Sequence, residues 1–292
     1  MNVAIYGRRF DRNFDFSIKV FFSKLKNIAN HISIYEPFKN FMTEHSGVKP
    51  TYDSLFSKFF TEENKPDLLF SIGGDGTFLD SATFINKLDI PIVGINSGRL
   101  GFLANISVDE VSWLMKAIEN KSYHLEERLV LKADIKSKPF DYPYCVNEIT
   151  IQKQNSGSMI TTHVYIDDVY LNSYWADGLI ISTPTGSTAY SLSVGGPIMS
   201  PEANSLIITP IAPHNLTVRP IIIPKGRAIR IEVENRGNTY MCSLDSRTEF
   251  VNTSNSIEIS AADFQIKTLL LEGKNFYKTI RNKLMWGFDR RN

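Results

Sequence analysis

Cysteine is scarce. Two residues in 292, Cys145 and Cys242, cannot build a disulfide framework, so the fold must rest on a buried core. Histidine is thin as well: the five lie far apart, no Cys/His spacing resembles a zinc site, and no residue is nominated as a metal ligand. Neither sign of charge is in excess. Lys and Arg number 32 against 31 Asp and Glu, a net charge of +1, which removes the electrostatic basis for gripping a nucleic-acid backbone or an anionic membrane. The locally basic Arg281, Lys283, Arg290 and Arg291 read as a solvated helix face. No apolar run approaches the length that crosses a bilayer, and the opening Val3-Ala4-Ile5-Tyr6 is too short for the core of a signal peptide. These absences point to the cytoplasm, with neither nucleic acid nor membrane as partner.

What is present is the composition of a globular chain, 42% hydrophobic and long enough for two domains. The first third alternates strands and helices. Residues 3–7, 32–35, 68–72 and 90–95 read as strands. Phe14, Ile18, Phe21, Phe22, Leu25 and Ile28 fall on one helical face, as do Phe78, Leu79, Ala82, Ile85 and Leu88, then Val111, Leu114, Met115 and Ile118. Leu55, Phe56, Phe59 and Phe60 suit a short helix. Such alternation predicts a Rossmann-like parallel sheet with helices on both faces. Near Leu125 the pattern changes to alternating runs, among them Leu129/Leu131/Ala133/Ile135, Tyr142/Tyr144/Val146, Val164/Ile166, Ile229/Ile231/Val233 and Ile257/Ile259. Turn signals at Asn155-Ser156-Gly157, Asp167-Asp168 and Arg236-Gly237-Asn238 separate them, predicting a mostly β second domain. Helical spacing returns at Phe276, Ile280 and Leu284.

Three segments carry chemistry. Ser71-Ile72-Gly73-Gly74-Asp75-Gly76-Thr77 places glycines between a buried strand and a helix, where backbone amides are available to phosphates. Asp75 has two readings there: a helix cap, or a carboxylate that accepts a proton or holds a metal beside phosphate. Asn147-Glu148 follows Cys145-Val146 within or at the end of a strand, either as polar residues facing water or as a grip for a ribose hydroxyl and an amine. From Asp177 to Ser193 an apolar strand runs into a turn dense in hydroxyls, shaped by Pro184 and Gly186, with Tyr190 as a stacking face.

Together these segments resemble the NAD kinase family in order and rough spacing. Asn96-Ser97-Gly98-Arg99-Leu100-Gly101-Phe102 and Ser243-Leu244-Asp245 extend the likeness over most of the chain. The Gly-Gly-Asp-Gly turn is shared with diacylglycerol kinases, sphingosine kinases and phosphofructokinases; the Asp177-to-Ser193 segment is particular to NAD kinases. The resemblance implies an α/β nucleotide-binding domain of residues 1–124 with 272–292, and a β-rich domain of residues 125–271. It implies NAD lying between the two domains, and dimers or tetramers formed through the β domain. It implies phosphoryl transfer from ATP, with Mg²⁺, to the 2′-hydroxyl of NAD's adenosine ribose. Carried over residue by residue, Asp75 is the proton acceptor with Gly76 beside it, and Gly73, Gly74, Gly76 and Thr77 form the phosphate loop. Asn147 and Glu148 hold ribose and nicotinamide-side groups. Asp177, Thr185, Thr188, Ala189, Tyr190 and Ser193 surround the adenosine together with Ser191 and Leu192, and Phe102 and Ala212 line the pocket. Trp175, Asp245 and Arg247 join the NAD contacts, although Trp175, Ser246 and Arg247 depart from the family's usual residues. The rivals are a lipid or sphingoid-base kinase, which needs an apolar acceptor tunnel that the hydroxyl-rich segment argues against, and a non-catalytic dinucleotide sensor.

Overall fold

The computed structural model describes residues 1–98, 100–154 and 158–287. Arg99, the Asn155-Ser156-Gly157 turn, and Arg290 and Arg291 lie outside the described residues. The chain divides into two units, Met1–Glu127 with Ile266–Asn292, and Arg128–Gln265.

The first unit is built on strands β1 (Asn2–Gly7), β2 (His31–Tyr35), β3 (Ser54–Phe56), β4 (Leu68–Gly73) and β5 (Ile92–Asn96), with helices α1 (Asp15–Leu25), α2 (Glu36–Phe41), α3 (Asp75–Ile85) and α4 (Val111–Asn120). The spatial order is β3-β2-β1-β4-β5, all parallel, and residues 266–271 return beside β5 with Thr268 opposite Ile92. Alternation along β4 explains the layering. Leu68, Phe70 and Ile72 face a core shared with Ile18 and Phe21 of α1 and Leu114 of α4. Leu69 and Ser71 point the other way, and α3 packs against this strand, β1 and β5. Strands buried on both faces read as unbroken apolar runs, which is why the sequence showed them. The strand order reverses between β1 and β4, the place where open parallel sheets bind ligands at their carboxyl ends.

One expected helix is absent. Ser54–Phe56 forms the edge strand β3, and 57–60 is irregular. Phe56 packs on Tyr35, Phe60 and Phe84 at ring separations of 5.7, 4.8 and 5.6 Å, while Leu55 and Phe59 stay 41% and 45% exposed. Extended chain lets Phe56 reach that aromatic cluster and pair with β2. Helix α2, unexpected from the sequence, carries Pro37 in its first turn, where the missing N–H costs nothing.

In the second unit nearly everything is strand: β6 (Tyr123–Ile135, entering from the first unit), β7 (Tyr144–Cys145), β8 (Glu148–Gln152), β9 (Ile160–Ile166), β10 (Val169–Ala176), β11 (Gly178–Ser182), β12 (Ser205–Ile211), β13 (Ile221–Pro224), β14 (Ile229–Glu234), β15 (Thr239–Leu244), β16 (Arg247–Asn252) and β17 (Ile257–Leu271, which crosses back). One helical turn, α5 (Tyr190–Ser193), interrupts them. Six strands make an antiparallel sheet in the order β13-β12-β11-β8-β15-β16, and β10-β9-β14-β17 run antiparallel in a second layer with β6 and β7 at its side. Inward residues of both layers meet in one core, including Leu131, Ile151, Val164, Leu179, Ile231 and Tyr240. The Asp167-Asp168 turn joins β9 to β10 with both residues at positive φ, 49° and 63°, as a two-residue hairpin requires. Helix α6 (Phe276–Leu284) follows β17 and belongs to the first unit.

Candidate functional site

In the first unit the site grows from the end of β4. Gly73 has φ +155°, and a Cβ there would stand 2.2 Å from Thr77 Oγ1, so only glycine lets the strand turn so tightly into α3. Gly74 is the residue before the helix and Asp75 its first residue, so Asp75 does not cap it. The capping reading is overturned because the carboxylate is engaged elsewhere. Oδ2 accepts the amide of Phe102, and Oδ1 accepts those of Leu103 and Ala104, each at 2.9 Å. Lys283 of α6 adds its Nζ at 3.4 Å from Oδ2 and sits 4.7 Å above the centre of the Phe102 ring. Gly101 makes room for this arrangement: a Cβ there would fall 1.9 Å from Asp75 Oδ1.

The loop that presents these amides is fastened in turn. The Ser97 amide donates to the Gly73 carbonyl at 3.3 Å, and the Gly101 amide to the Ala104 carbonyl at 3.0 Å. The side-chain amide of Asn96 donates to the same Ala104 carbonyl, and its oxygen takes the Gly98 amide at 2.5 Å. Nothing lies within 4 Å of a Cβ built at Gly74 or Gly76, so the outer side of the glycine turn is open. On the other flank, a cavity of about 800 Å³ opens at the carboxyl ends of β1 and β2, lined among others by Tyr6, Arg8, Arg9, Tyr35, Asn40 and Phe41. The Arg8 amide donates to the Ile72 carbonyl at 3.4 Å, and its guanidinium pairs with Asp80 of α3 at 2.5 Å, so the cavity adjoins the glycine turn.

The second unit repeats the device of a carboxylate holding three successive amides. Asp245, in the left-handed region at φ 53°, accepts from Val146, Asn147 and Glu148 at 2.9, 2.8 and 3.2 Å. Burial pushes its carboxyl above the ordinary carboxylate range, against the pull of the Val146 and Asn147 amides. The same segment is stitched to the hydroxyl-rich turn. Thr183 Oγ1 donates to the Val146 carbonyl at 2.6 Å, and the Thr183 amide to the Asn147 carbonyl at 2.9 Å. A Cβ on Gly186 would stand 2.2 Å from that Asn147 oxygen. The result is a fixed Asn147-Glu148 pair at the mouth of β8. Desolvation, helped by the neighbouring Asp245, raises Glu148 to about 8 despite the Tyr190 amide nearby. Asn147 Oδ1, Glu148 Oε2 and Thr185 Oγ1 are all buried without a hydrogen-bond partner. Buried polar atoms left unpaired cost free energy unless a water or a ligand satisfies them, so these three are open to a polar partner.

The remaining nominated residues divide by what their side chains touch. Tyr190 is 37% exposed, its hydroxyl taking the Gln152 amide at 3.0 Å, and Ser193 beside it is exposed. Asp177 pairs with Lys153 at 2.6 Å. Trp175, half exposed, lies 4.3 Å from the ring of His214, near Ala212, which holds φ 44°. Thr188 Oγ1 donates to the Thr185 carbonyl, Ala189 and Leu192 are half-buried, and Ser191 is buried with its hydroxyl 3.1 Å from that of Thr209. Arg247 is spent on the carbonyls of Tyr142 and Tyr144, with its guanidinium over the Tyr142 ring. Sequence reasoning gave no role to Lys283, Gly101, Thr183 or the cavity residues, although Gly101 and Thr183 lie within motifs that it singled out.

The two halves of the chain match family models described as the ATP-NAD kinase N-terminal domain, over residues 30–123, and the ATP-NAD kinase C-terminal domain, over residues 146–271. The chain belongs to the ATP-NAD kinase family. It is 44% identical to the NAD kinase of Cytophaga hutchinsonii over 293 residues, with all of both chains covered. It is 40% identical to that of Bacteroides fragilis over 294 residues, again end to end. Its fold is similar to that of yeast NADH kinase complexed with NADH (TM-score 0.86, 22% identity, 99% of this chain and 88% of that one). It is also similar to that of an NAD kinase from Archaeoglobus fulgidus in complex with ATP (TM-score 0.74, 24% identity, 98% of each).

Proposed function

We propose that this protein moves the terminal phosphoryl group of ATP onto the 2′-hydroxyl of NAD's adenosine ribose, making NADP. The observation that carries the reading is the trio of buried, unpartnered acceptors on Asn147, Glu148 and Thr185 beside exposed Tyr190, in a chain of this family. Hydroxyls and amide hydrogens of a dinucleotide are the partners such a trio lacks, and Tyr190 offers a ring to stack on. Asp177, Thr188, Ala189 and Ser193 complete the surround of the adenosine in this reading, while Ser191, Asp245 and Arg247 shape the pocket through internal bonds.

Phosphoryl transfer asks for positioning and charge neutralisation. The new bond joins the ribose oxygen to phosphorus, the bond from phosphorus to the bridging oxygen breaks with its electron pair on ADP, and the ribose proton passes to Asp75. Amides around Gly74 and Gly76 face the phosphates. The cavity at β1 and β2 has the size and aromatic lining for the donor's nucleoside, with Arg8 and Arg9 toward its phosphates. Mg²⁺ enters as part of the MgATP substrate, held by the donor's phosphates and water. Among the described residues no three His, Cys, Asp or Glu side chains gather as a metal cage, and the Asp75 oxygens are engaged by amides.

The edges of the second unit's sheets carry exposed apolar side chains, Tyr170 and Trp175 on β10 and Phe250 on β16, which supports assembly into a homodimer or homotetramer through this unit. A cytoplasmic setting fits the two buried, unpaired thiols. Among the described residues no helix is long and apolar enough to cross a membrane. A coupled assay for NADP formation from NAD and MgATP tests the activity; no product at saturating substrates rejects it. Light scattering tests the oligomer.

A further inference from the structure

The Asp75 carboxylate has no vacancy. Its two oxygens offer about four acceptor positions. Leu103 and Ala104 fill those of Oδ1, and Phe102 and Lys283 fill those of Oδ2. A hydroxyl that is to surrender its proton here must first displace a donor. Three of the four are backbone amides at 2.9 Å on a loop tied down on both sides. The fourth, at 3.4 Å, is the tip of a flexible side chain.

Helix α6 gives that side chain a fixed base and a free end. Near its start, Lys274 Nζ holds the Asn105 carbonyl at 2.6 Å and the Glu110 carboxylate at 2.5 Å, and the Phe276 ring lies 6.2 Å from that of Phe102. Farther along, no residue of the helix is buried, and the Lys283 side chain is 34% exposed. The ammonium rests over the Phe102 ring, which supports a cation along its path without binding it as tightly as an anion would.

Resting on the phosphotransfer reading above, we propose that Lys283 is a ligand of the transferred phosphoryl group, and that it exchanges between Asp75 and the donor's terminal phosphate. A triphosphate carries more negative charge than one carboxylate already satisfied by three amides, so donor binding draws the ammonium away. Its departure opens the second position on Oδ2, and the ribose hydroxyl takes it. Proton acceptance by Asp75 thus becomes available when the phosphate is in place. Lys283 neither gives nor takes a proton; it carries charge from the carboxylate to the phosphoryl oxygens as the ribose–phosphorus bond forms and ADP leaves.

Two measurements test this. Lys283→Met is expected to weaken equilibrium binding of MgATP by about 10- to 100-fold, the worth of one charge-assisted hydrogen bond. It should also lower kcat, with KM for NAD and Tm unchanged, and Lys283→Arg should restore most of the affinity. In the unaltered protein, mass spectrometry should find acetylation of Lys283 slowed by MgATP and not by NAD alone. Unchanged MgATP affinity in Lys283→Met, equal acetylation with and without MgATP, or losses fully explained by a lower Tm would each overturn the proposal. Absence of NADP formation by the unaltered protein would instead sink the functional reading, while the binding and acetylation arms still report on Lys283.

Discussion

Glu148 and Asp245 hold each other through their backbones: the Asp245 amide donates to the Glu148 carbonyl at 3.0 Å, while the Glu148 amide reaches the Asp245 carboxylate at 3.2 Å. The link brings two carboxyls into a desolvated neighbourhood and raises Glu148 to about 8. A carboxyl raised above its unfolded value keeps a proton in the native state that the unfolded chain has released. Stability from this group is therefore present in acid and lost as pH climbs from the ordinary carboxylate range through about 8. Tm of the protein without nucleotide should fall across that window. Glu148→Gln should flatten the slope, and an identical slope in the variant would show that Glu148 does not titrate there.

Asp75→Asn is expected to lower kcat by about 10²–10⁴-fold, the usual worth of a positioned general base. It should also cost stability. Either oxygen, replaced by an NH₂, would face an amide N–H of residues 102–104, a part-buried conflict of about 1 kcal/mol. Tm and steady-state kinetics measured together check both halves; near-normal turnover would leave Asp75 with a purely structural role.

Gly101→Ala changes no functional group, yet its methyl would stand 1.9 Å from Asp75 Oδ1. Relieving that clash must move the pinned carboxylate or the loop by about an ångström, a misplacement that should cost about 10²-fold in kcat. If the assay instead finds wild-type kcat with Asp75 intact, the exact seat of the carboxylate does not matter to turnover.

Tyr190→Ala should raise KM for NAD and leave KM for ATP alone. The ring is accessible, and stacking is worth about 0.5–1.5 kcal/mol beyond area. A Tm drop with unchanged KM for NAD would reduce Tyr190 to a packing residue bonded to Gln152.

What the sequence made legible follows from where each residue's partners lie. Residues 68–72 announced a central strand because both faces are buried, and the loop of glycines after them announced a turn. Leu55, Phe56, Phe59 and Phe60 misled because Phe56 and Phe59 pack on Phe84, Phe60 packs on Phe56 and Leu55 is exposed, a spacing that mimics a helical stripe. Asn147 and Glu148 were visible as a polar pair, but their setting was not. Asp245 organises them through backbone amides, and an amide carries no side-chain signature 97 to 99 positions away. Lys283 lies 208 positions from Asp75 and looked like one more cation on a solvated face.

The division of the chain also sets a timetable. Synthesis delivers 128–265 whole, so the β-rich unit has its entire sequence in hand while β5 still lacks its pairing with residues 266–271 and Asp75 its ammonium partner at 283. The second unit has its whole sequence before the first does. A chain stopped at 265 should therefore protect its 128–265 region from protease better than its glycine turn, because only the first unit is left without residues that complete it.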